Sequence, residues 1–367
     1  MKEKKRKGSS IVGGFIILII GICLLWYNEG RTVKTQSAIN EAKKNYTQVK
    51  SDKVDSKYEG KLIATNGKLD LSEANELVDE MFGVKANSAK LARKVEMYQN
   101  IEECTTDDND NERCTYKQEW KDELVDSSSF KESGHSNPSS MPYENEVYLA
   151  DNVKVGAFSL SKELQSRLST SKEIGEENLK EAFNNKIEGL KVTGKYINNI
   201  PEDGVPQIGN IRISFSYNNS DTISVLAVQS DNSFAEYTAK SGKGIYRLKE
   251  GTHTGAEILQ DMTDENNFIK WLLRIVGTIM VMIGIAGLFD PIQRLANYVP
   301  ILRNIVSFAT GLVAFIGGLA ISLLVIAIAW FRYRPLLSII LIVIVVALIL
   351  GLKFMKKDNN LQKEETK

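Results

Sequence analysis

Histidine and cysteine are scarce in this chain, whose 367 residues include two His and three Cys. Zinc sites take three or four nitrogen, sulfur or oxygen ligands, and no His lies near Cys104 or Cys114 in the sequence. The sequence therefore predicts no metal site, and it shows no motif for a cofactor. Basic and acidic residues number 46 each, so the formal net charge is zero. Nucleic acid is not an expected partner, because the chain lacks a basic excess.

Catalytic motifs are also missing. A serine hydrolase needs a nucleophile, a base and an orienting acid, and the G-x-S-x-G signature of many such enzymes does not occur. His135 lies in a Ser-rich loop beside Ser136, Ser139 and Ser140. We interpret it as a residue that caps a turn or holds this loop. No catalytic residue is predicted, and a membrane-bound hydrolase is kept as the weakest alternative.

Long apolar runs are what the chain does have. A transmembrane helix needs about 20 apolar residues, and four runs approach that length, at residues 11–27, 271–289, 305–331 and 336–352. We predict that all four are transmembrane helices. The first lacks a small-residue cleavage site, so it is interpreted as a retained anchor rather than a signal peptide. Arg274 lies near one end of the second, where its side chain can extend to the head groups.

The basic residues beside these runs predict the orientation. Residues 1–10 form a basic cytoplasmic tail, residues 353–367 form a second one, and the connection 290–304 is placed on the same side. Residues 28–270 are then extracytoplasmic, and the protein is predicted to be a multi-pass protein of the bacterial plasma membrane, or of an endomembrane or nuclear envelope in a eukaryote. The pattern of residues 290–304 indicates a short amphipathic helix on the membrane surface. An ordinary structured loop explains the same pattern equally well.

The region 28–270 is predicted to be an α+β domain with antiparallel sheet, attached to an all-α region of four transmembrane helices. Alternating apolar residues make 211–217 the clearest strand, with 222–229 as its expected neighbour. Residues 61–71 suggest a hairpin that turns at Asn66-Gly67. Helical spacing with an interruption at Gly175 marks residues 161–183.

Two cysteines flank a polar segment within this domain. In an oxidising compartment Cys104 and Cys114 could pair, and a hairpin closed by a disulfide is the first interpretation. A calcium loop is the alternative, because Asp108, Asp110 and Glu112 alternate. That loop lacks the glycine and the distant glutamate of an EF-hand.

Charged and small residues mark two further features of the membrane region. One set is predicted to join the domain to the membrane, because a charged residue at the end of the first apolar run can pair with an arginine of the outer turn. Its members are Asn28, Glu29, Gly30, Arg31, Arg332 and Arg334. Gly30 would permit a bend there. Small residues allow close packing of membrane helices, and the predicted packing set is Gly14, Gly21, Gly277, Gly284, Ser307, Gly311, Ala314 and Gly318.

Several segments together resemble one family of membrane proteins. They are WYNEGRTVKT from Trp26, VEMYQ from Val95, YKQEW from Tyr116, FKESGHSNPSSM from Phe130, IGNIRISFSY from Ile208 and FRYRPLL from Phe331. In this order, and with one plus three apolar runs, the chain resembles the transmembrane protein 43 (LUMA) family, and its Lys-, Ile- and Asn-rich composition suggests a bacterial member. The resemblance implies a multi-pass, self-associating membrane protein. In animals it implies association with the endoplasmic reticulum, the inner nuclear membrane, lamins and emerin.

The expected function is a scaffold that self-associates and organises membrane-protein or lipid assemblies through its extracytoplasmic domain. The expected partners are the lipid bilayer, a second copy of the chain and other membrane proteins. An oligomeric ion channel or pore, lined by small and hydroxyl-bearing residues, is the main alternative.

Overall fold

The computed structural model describes residues 9–106, 112–296 and 300–335, together with Ile339. The chain divides into two compact units. The helical unit comprises Met1–Lys44, Thr238–Gly244 and Leu259–Lys367, and the sheet unit comprises Asn45–Tyr237 and Ile245–Ile258. The predicted fourth apolar run apart from Ile339, the C-terminal tail, nearly all of the N-terminal tail and the loop acids Asp108 and Asp110 lie outside the described residues.

The described residues form five α-helices and eighteen strands. The helices are α1 (Ser9–Asn45), α2 (Lys162–Ser166), α3 (Glu176–Phe183), α4 (Gly255–Ala296) and α5 (Pro300–Tyr333). The strands are β1 (Thr47–Gln48), β2 (Leu62–Asp70), β3 (Leu77–Asp79), β4 (Val84–Ala86), β5 (Lys90–Thr106), β6 (Glu112–Lys121), β7 (Glu146–Leu149), β8 (Lys154–Val155), β9 (Phe158–Ser159), β10 (Lys172–Glu173), β11 (Lys191–Thr193), β12 (Tyr196–Asn198), β13 (Ile211–Tyr217), β14 (Thr222–Ser230), β15 (Ser233–Ala235), β16 (Tyr237–Thr238), β17 (Gly244–Ile245) and β18 (Arg247–Glu250).

Three helices are long and apolar enough to cross a membrane: Ile11–Asn45, Gly255–Gln293 and Ile305–Tyr333. Two of them extend well beyond the predicted apolar runs, because α1 continues to Asn45 and α4 begins at Gly255. Ala38, Ile39 and Ala42 are buried on α1, and this helical spacing gives the polar extension an apolar face that favours a continuing helix. Both ends of the predicted domain 28–270 are therefore helical.

The connection between the second and third runs differs from the prediction. Residues 290–296 continue α4, Pro291 lies inside that helix, and α5 begins at Pro300, so the described residues of this connection belong to the two long helices. A proline removes one backbone hydrogen bond, and membrane helices tolerate this because neighbouring groups satisfy the freed carbonyl.

Two seven-stranded sheets make up most of the sheet unit. In the first, the order is β15-β14-β2-β8-β9, with β1 beside β2 and β18 beside β14. In the second, the order is β11-β12-β13-β5-β6, with β10 beside β13 and β7 beside β5. Strands β16 and β17 pair with each other, as do β3 and β4. Apart from the parallel β1–β2 pair, the registers of the two large sheets are antiparallel.

Both sheets contribute to one apolar core. Ile63 and Val225 enter it from the first sheet, Val95 and Phe215 from the second, and Phe183 from α3. This arrangement confirms an α+β domain with antiparallel sheet, because layers of strand and helix bury one shared set of side chains.

Two strand predictions are wrong. Residues 61–71 do not turn at Asn66-Gly67, since β2 runs through both residues and pairs there with β14. A Cβ on Gly67 would collide with Ser51 Oγ, so this glycine allows a close approach within a strand. Strand β14 also does not pair with β13; the two belong to different sheets.

The predicted disulfide hairpin is confirmed. Strands β5 and β6 are antiparallel neighbours with Cys104 directly opposite Cys114, and the two sulfurs are bonded. Glu102 lies close to both cysteines, but the disulfide occupies both sulfurs, so these residues do not form a metal-ligand set.

Candidate functional site

The polar residues at the exit of the first apolar run are buried. Leu25, Asn28, Glu29 and Thr32 lie on one face of α1 because residues three and four apart share a face. All four are almost completely inaccessible to solvent. A buried ionised or amide side chain is costly unless it has hydrogen-bond partners, so the surrounding helices must supply them.

An ion pair satisfies Glu29. Arg274 Nε of α4 lies 2.7 Å from Glu29 Oε1, and the exposed side-chain fractions are 12% and 0%. Trp330 Nε1 of α5 donates a hydrogen bond of 2.9 Å to Glu29 Oε2. Each carboxylate oxygen therefore binds a different helix, and one side chain of α1 joins α4 and α5. We call Asn28, Glu29, Arg31, Asn266, Lys270, Arg274 and Trp330 the junction cluster.

Arg274 also contacts two indole rings. Its guanidinium carbon lies 5.0 Å from the Trp271 ring centroid and 5.8 Å from that of Trp330. Cation–π attraction of this kind adds to an ion pair where water is excluded. Arg274 was predicted to extend to the head groups, and the structure instead places it against Glu29.

A second layer of hydrogen bonds ties α1 to α4. Asn28 Nδ2 donates to the Lys270 carbonyl at 2.9 Å, and Arg31 donates to Asn266 Oδ1 at 3.1 Å. Asn266 Nδ2 in turn donates to the Thr32 carbonyl at 3.1 Å. Three side chains thus bridge the same two helices within two turns.

Gly30 lies in the middle of the continuous helix α1, so it does not break the helix. A Cβ at this position would lie 2.7 Å from Cζ of Tyr333. The missing side chain therefore lets the Tyr333 ring of α5 lie against the α1 backbone.

The predicted packing residues divide into two groups. Cβ atoms on Gly14, Gly21, Gly277, Gly284 and Gly318 would each come within about 3 Å of a neighbouring helix, and Ala314 is buried in the apolar core of the helical unit. Ser307 is exposed, and a Cβ on Gly311 would meet no atom within 4 Å among the described residues.

The outer arginines have other positions than predicted. Arg332 is exposed, and the Arg334 guanidinium lies 5.8 Å from the Trp330 ring centroid. The charged partner that the structure assigns to Glu29 is Arg274. Arg274 was expected only to reach the head groups, although its position on an apolar helix was a signal for a buried partner.

The Ser-rich loop packs on the disulfide hairpin. The His135 ring stacks on Tyr116 with centroids 3.9 Å apart, which agrees with a loop-holding role. The Tyr116 hydroxyl donates to Glu102 Oε1 at 2.6 Å, and the Lys131 N–H donates to the same oxygen at 2.6 Å. These two donors hold the pKa of Glu102 below its ordinary value.

A second buried ion pair lies in the sheet unit and was not predicted. Arg93 of β5 donates to Asp79 Oδ2 at 2.5 Å, with 4% and 0% of the side chains exposed. The Tyr148 hydroxyl donates to the same oxygen at 3.0 Å. Burial of the phenol, together with hydrogen bonds to Glu146 and Asp79, raises the pKa of Tyr148. This pair fixes the β3–β4 hairpin to the second sheet, which is a structural role.

The junction cluster joins three apolar helices through charge and amide contacts. Its one carboxylate has both oxygens occupied, an arrangement that suits fixed helix positions. Among the described residues, neither this cluster nor the His135 loop places a nucleophile beside a base.

Comparison with known proteins gives the family. A family model described as transmembrane protein 43 matches residues 97–335. The human transmembrane protein 43 is 28% identical over 349 residues, which cover 89% of this chain and 85% of the relative. The transmembrane protein 43 homolog of Drosophila melanogaster is 26% identical over 345 residues, 89% of each chain. No solved structure matches. With its three apolar helices, this chain is a membrane protein that belongs to the transmembrane protein 43 family.

Proposed function

We propose that this protein is a self-associating membrane scaffold. It holds its sheet unit outside the cytoplasm and organises membrane-protein or lipid assemblies through that unit. Fixed helix contacts support this function, because the junction cluster and the glycine contacts hold the three helices in one arrangement. A scaffold that binds other proteins needs helices that keep a fixed arrangement.

The proposal of self-association depends on one face of α5 that carries small residues. Part of this face packs within the chain, and part of it does not contact the described residues. Ser307, Gly311, Ala314 and Gly318 repeat at intervals of four and three residues, so they lie on one helical face. Ala314 and Gly318 pack within the helical unit. Ser307 and Gly311, four residues apart, have the spacing at which two membrane helices approach closely. We assign this open part of the face to α5 of a second copy.

The disulfide supports the placement of the sheet unit. Disulfides form and persist in oxidising compartments and are rare in the cytosol. The Cys104–Cys114 bond therefore favours an extracytoplasmic or lumenal sheet unit, as the basic residues at the N-terminus also do.

Cysteine cross-linking in native membranes tests the self-association. Cys23, the free cysteine among the described residues, is first replaced by serine. Gly311→Cys is then oxidised and run on a non-reducing gel. We expect a covalent dimer of twice the 41.0 kDa chain mass. Ala314→Cys is the matched control, since it lies on the same face three residues away but is buried within the chain, and it should stay monomeric.

Two outcomes would overturn the proposal. A Gly311→Cys chain that stays monomeric and resists a maleimide reagent would show that residues of the same chain, such as the predicted run 336–352, cover this face. A monomeric particle after gentle detergent extraction would exclude a self-associating scaffold. Reconstitution of the extracted particle into liposomes with an ion-flux assay tests the pore alternative, and we expect no flux above that of empty liposomes.

A further inference from the structure

Strand β6 (Glu112–Lys121) lies at an edge of the second sheet. In the part of the chain that the structure describes, it pairs with β5 alone. Every second residue of an edge strand directs its N–H and C=O groups away from the sheet, where another strand can bind them. With ten residues, β6 is longer than a typical strand of about five or six. It therefore offers a continuous row of backbone hydrogen-bonding groups.

The contacts of β5 show which residues of β6 face this open edge. The Asn100 N–H donates to Asn137 Oδ1 at 2.7 Å, and Asn137 Nδ2 donates to the Asn100 carbonyl at 2.9 Å, so neither backbone group of Asn100 bonds to β6. Asn100 lies opposite Gln118. In an antiparallel pair, two opposite residues either exchange both hydrogen bonds or exchange none. Gln118, and every second residue from it along β6, therefore directs its backbone groups toward the open edge.

The charged side chains of β6 alternate in sign. Lys117, Glu119 and Lys121 follow each other at every second residue, so their side chains share one face of the sheet. All three are partly exposed, between 37% and 45%. Glu119 lies 2.8 Å from Lys117 Nζ and 2.9 Å from Lys121 Nζ. Like charges directly opposite each other destabilise a strand pair, but an alternating row lets opposite charges face each other in a suitable register.

The twofold axis of a pair of β6 strands decides which side chains face each other. With the axis at Gln118, Lys117 of each copy lies opposite Glu119 of its partner, so two pairs of opposite charge form. With the axis at Lys117 or Glu119, that residue would face its own copy, and the like charges would repel. An axis at Tyr116 would bring together the two loops that dock on this residue through His135. Gln118 is exposed and uncharged, so it can lie on the axis.

We propose that β6 of one copy of this chain pairs antiparallel with β6 of a second copy, with the twofold axis at Gln118. The second sheet then continues from one sheet unit into the other. This contact rests on the proposed self-association, to which it adds a second surface. Backbone hydrogen bonds provide affinity when a strand is added to a sheet edge. The two Lys117–Glu119 pairs select the register.

Cysteine cross-linking of the full chain in native membranes tests the contact. Cys23 is replaced by serine, and Gly311→Leu removes a close approach through α5, so the cross-link reports β6 alone. Opposite residues of a hydrogen-bonded pair have Cα atoms about 5.5 Å apart, a distance that a disulfide spans. Gln118→Cys should therefore form a covalent dimer on oxidation. Lys121→Cys on the same strand is the matched control and should stay monomeric, because its two copies would lie about 20 Å apart.

Charge exchange tests the register. Lys117→Glu turns attraction into repulsion at two symmetry-related contacts, each worth about fivefold, so association should weaken about 25-fold. The yield of the Gln118→Cys dimer over a dilution series in neutral detergent measures this change. The double variant Lys117→Glu/Glu119→Lys again places opposite charges at both contacts and should recover the dimer. A defect in folding would not be reversed by the second substitution.

The outcomes separate this contact from the one proposed for α5. If Gln118→Cys stays monomeric while Gly311→Cys forms a dimer, the β6 contact is overturned and the scaffold proposal stands. If Gln118→Cys forms a dimer and Gly311→Cys does not, the β6 contact stands and the α5 contact is removed. Equal cross-linking of Gln118→Cys and Lys121→Cys would show random collision and would overturn the β6 contact. A double variant that stays as weak as Lys117→Glu would overturn the register.

Discussion

Removal of the Glu29 carboxylate tests whether the junction cluster holds the helical unit together. In Glu29→Ala, Arg274 keeps its positive charge but loses the carboxylate at 2.7 Å. Trp330 Nε1 loses its acceptor at 2.9 Å. Because Glu29 is inaccessible to solvent, water is poorly placed to replace either contact.

The expected loss follows from this burial. Breaking a buried ion pair by removing one partner costs about 3–5 kcal/mol, since the other charge is left without compensation. A buried hydrogen-bond donor left without an acceptor adds about 1–3 kcal/mol. Arg274 retains 12% exposure, which allows it partial hydration, so we expect a total loss of about 4 kcal/mol in the free energy of unfolding.

Two further variants separate charge from shape. Glu29→Gln keeps an oxygen that can accept from Trp330 but removes the negative charge, so it should lose most of the ion-pair contribution, about 3 kcal/mol. The double variant Glu29→Gln/Arg274→Gln carries no unpaired charge. It should be more stable than either single variant, because coupled neighbours are not additive. Glu163→Ala, which removes an exposed pair on α2, should change stability by less than about 1 kcal/mol.

Unfolding of the helical unit can be followed by SDS titration in mixed micelles, with circular dichroism as the readout. If Glu29→Ala and Glu163→Ala shift the midpoint equally, the ion pair contributes no more than a surface pair. If the double variant loses the sum of the two single losses, Glu29 and Arg274 are not coupled. Either result would refute the reasoning from burial.

Three further predictions use neighbouring or paired positions. Gly14→Leu should destabilise the helical unit by about 1–3 kcal/mol, because its Cβ would lie 2.9 Å from the Gly284 carbonyl oxygen. Gly13→Leu, whose Cβ would meet no atom of the described residues within 4 Å, should leave the SDS midpoint unchanged. Replacing both Cys104 and Cys114 by serine should lower the stability of the sheet unit by about 2–3 kcal/mol from lost loop closure, measured by urea unfolding; no change would remove the disulfide as a structural element. The depressed pKa of Glu102 means that its contribution to loop docking is present above the ordinary value of 4.5 and is lost as the pH falls through the lower folded value. The protection factor of the Lys131 amide, which is the exchange rate corrected for the intrinsic rate at each pH, should therefore fall over that range and stay constant between pH 6 and 7.

Local patterns predicted the elements of this fold better than their partners. The alternating apolar residues of 211–217 coincide with β13, and the strands around the cysteines form the expected hairpin. The pairing of β14 with β2 instead of β13 depends on a contact about 160 residues away in the chain. The residues between two strands carry no information about such a contact. The Asn66-Gly67 pair has the sequence of a turn, and only the close approach of Ser51 in the structure explains why a glycine lies within a strand.

The candidate site was predicted only in part, because its local pattern is visible in the sequence and its contacts with distant residues are not. The run Asn28-Glu29-Gly30-Arg31 was recognised as unusual because polar residues directly followed an apolar run. Its partner could not be identified, since Arg274, Arg332 and Arg334 all lie near the same end of their helices. The choice among them depends on helix rotation, and the burial of Arg274 decides it.

The combination of glycines and an ion pair in the helical unit has a physical reason. Leucine and isoleucine side chains are as apolar as lipid tails, so they give two membrane helices little preference for each other over lipid. Gly14 and Gly284 allow the backbones of α1 and α4 to approach, but small residues alone allow several rotations. The Glu29–Arg274 pair is directional, and Trp330 extends the same constraint to α5. A rotation of α1 by one residue, about 100°, would turn the carboxylate away from both partners. We therefore expect the glycines to set the distance between the helices, and the junction cluster to set their rotation.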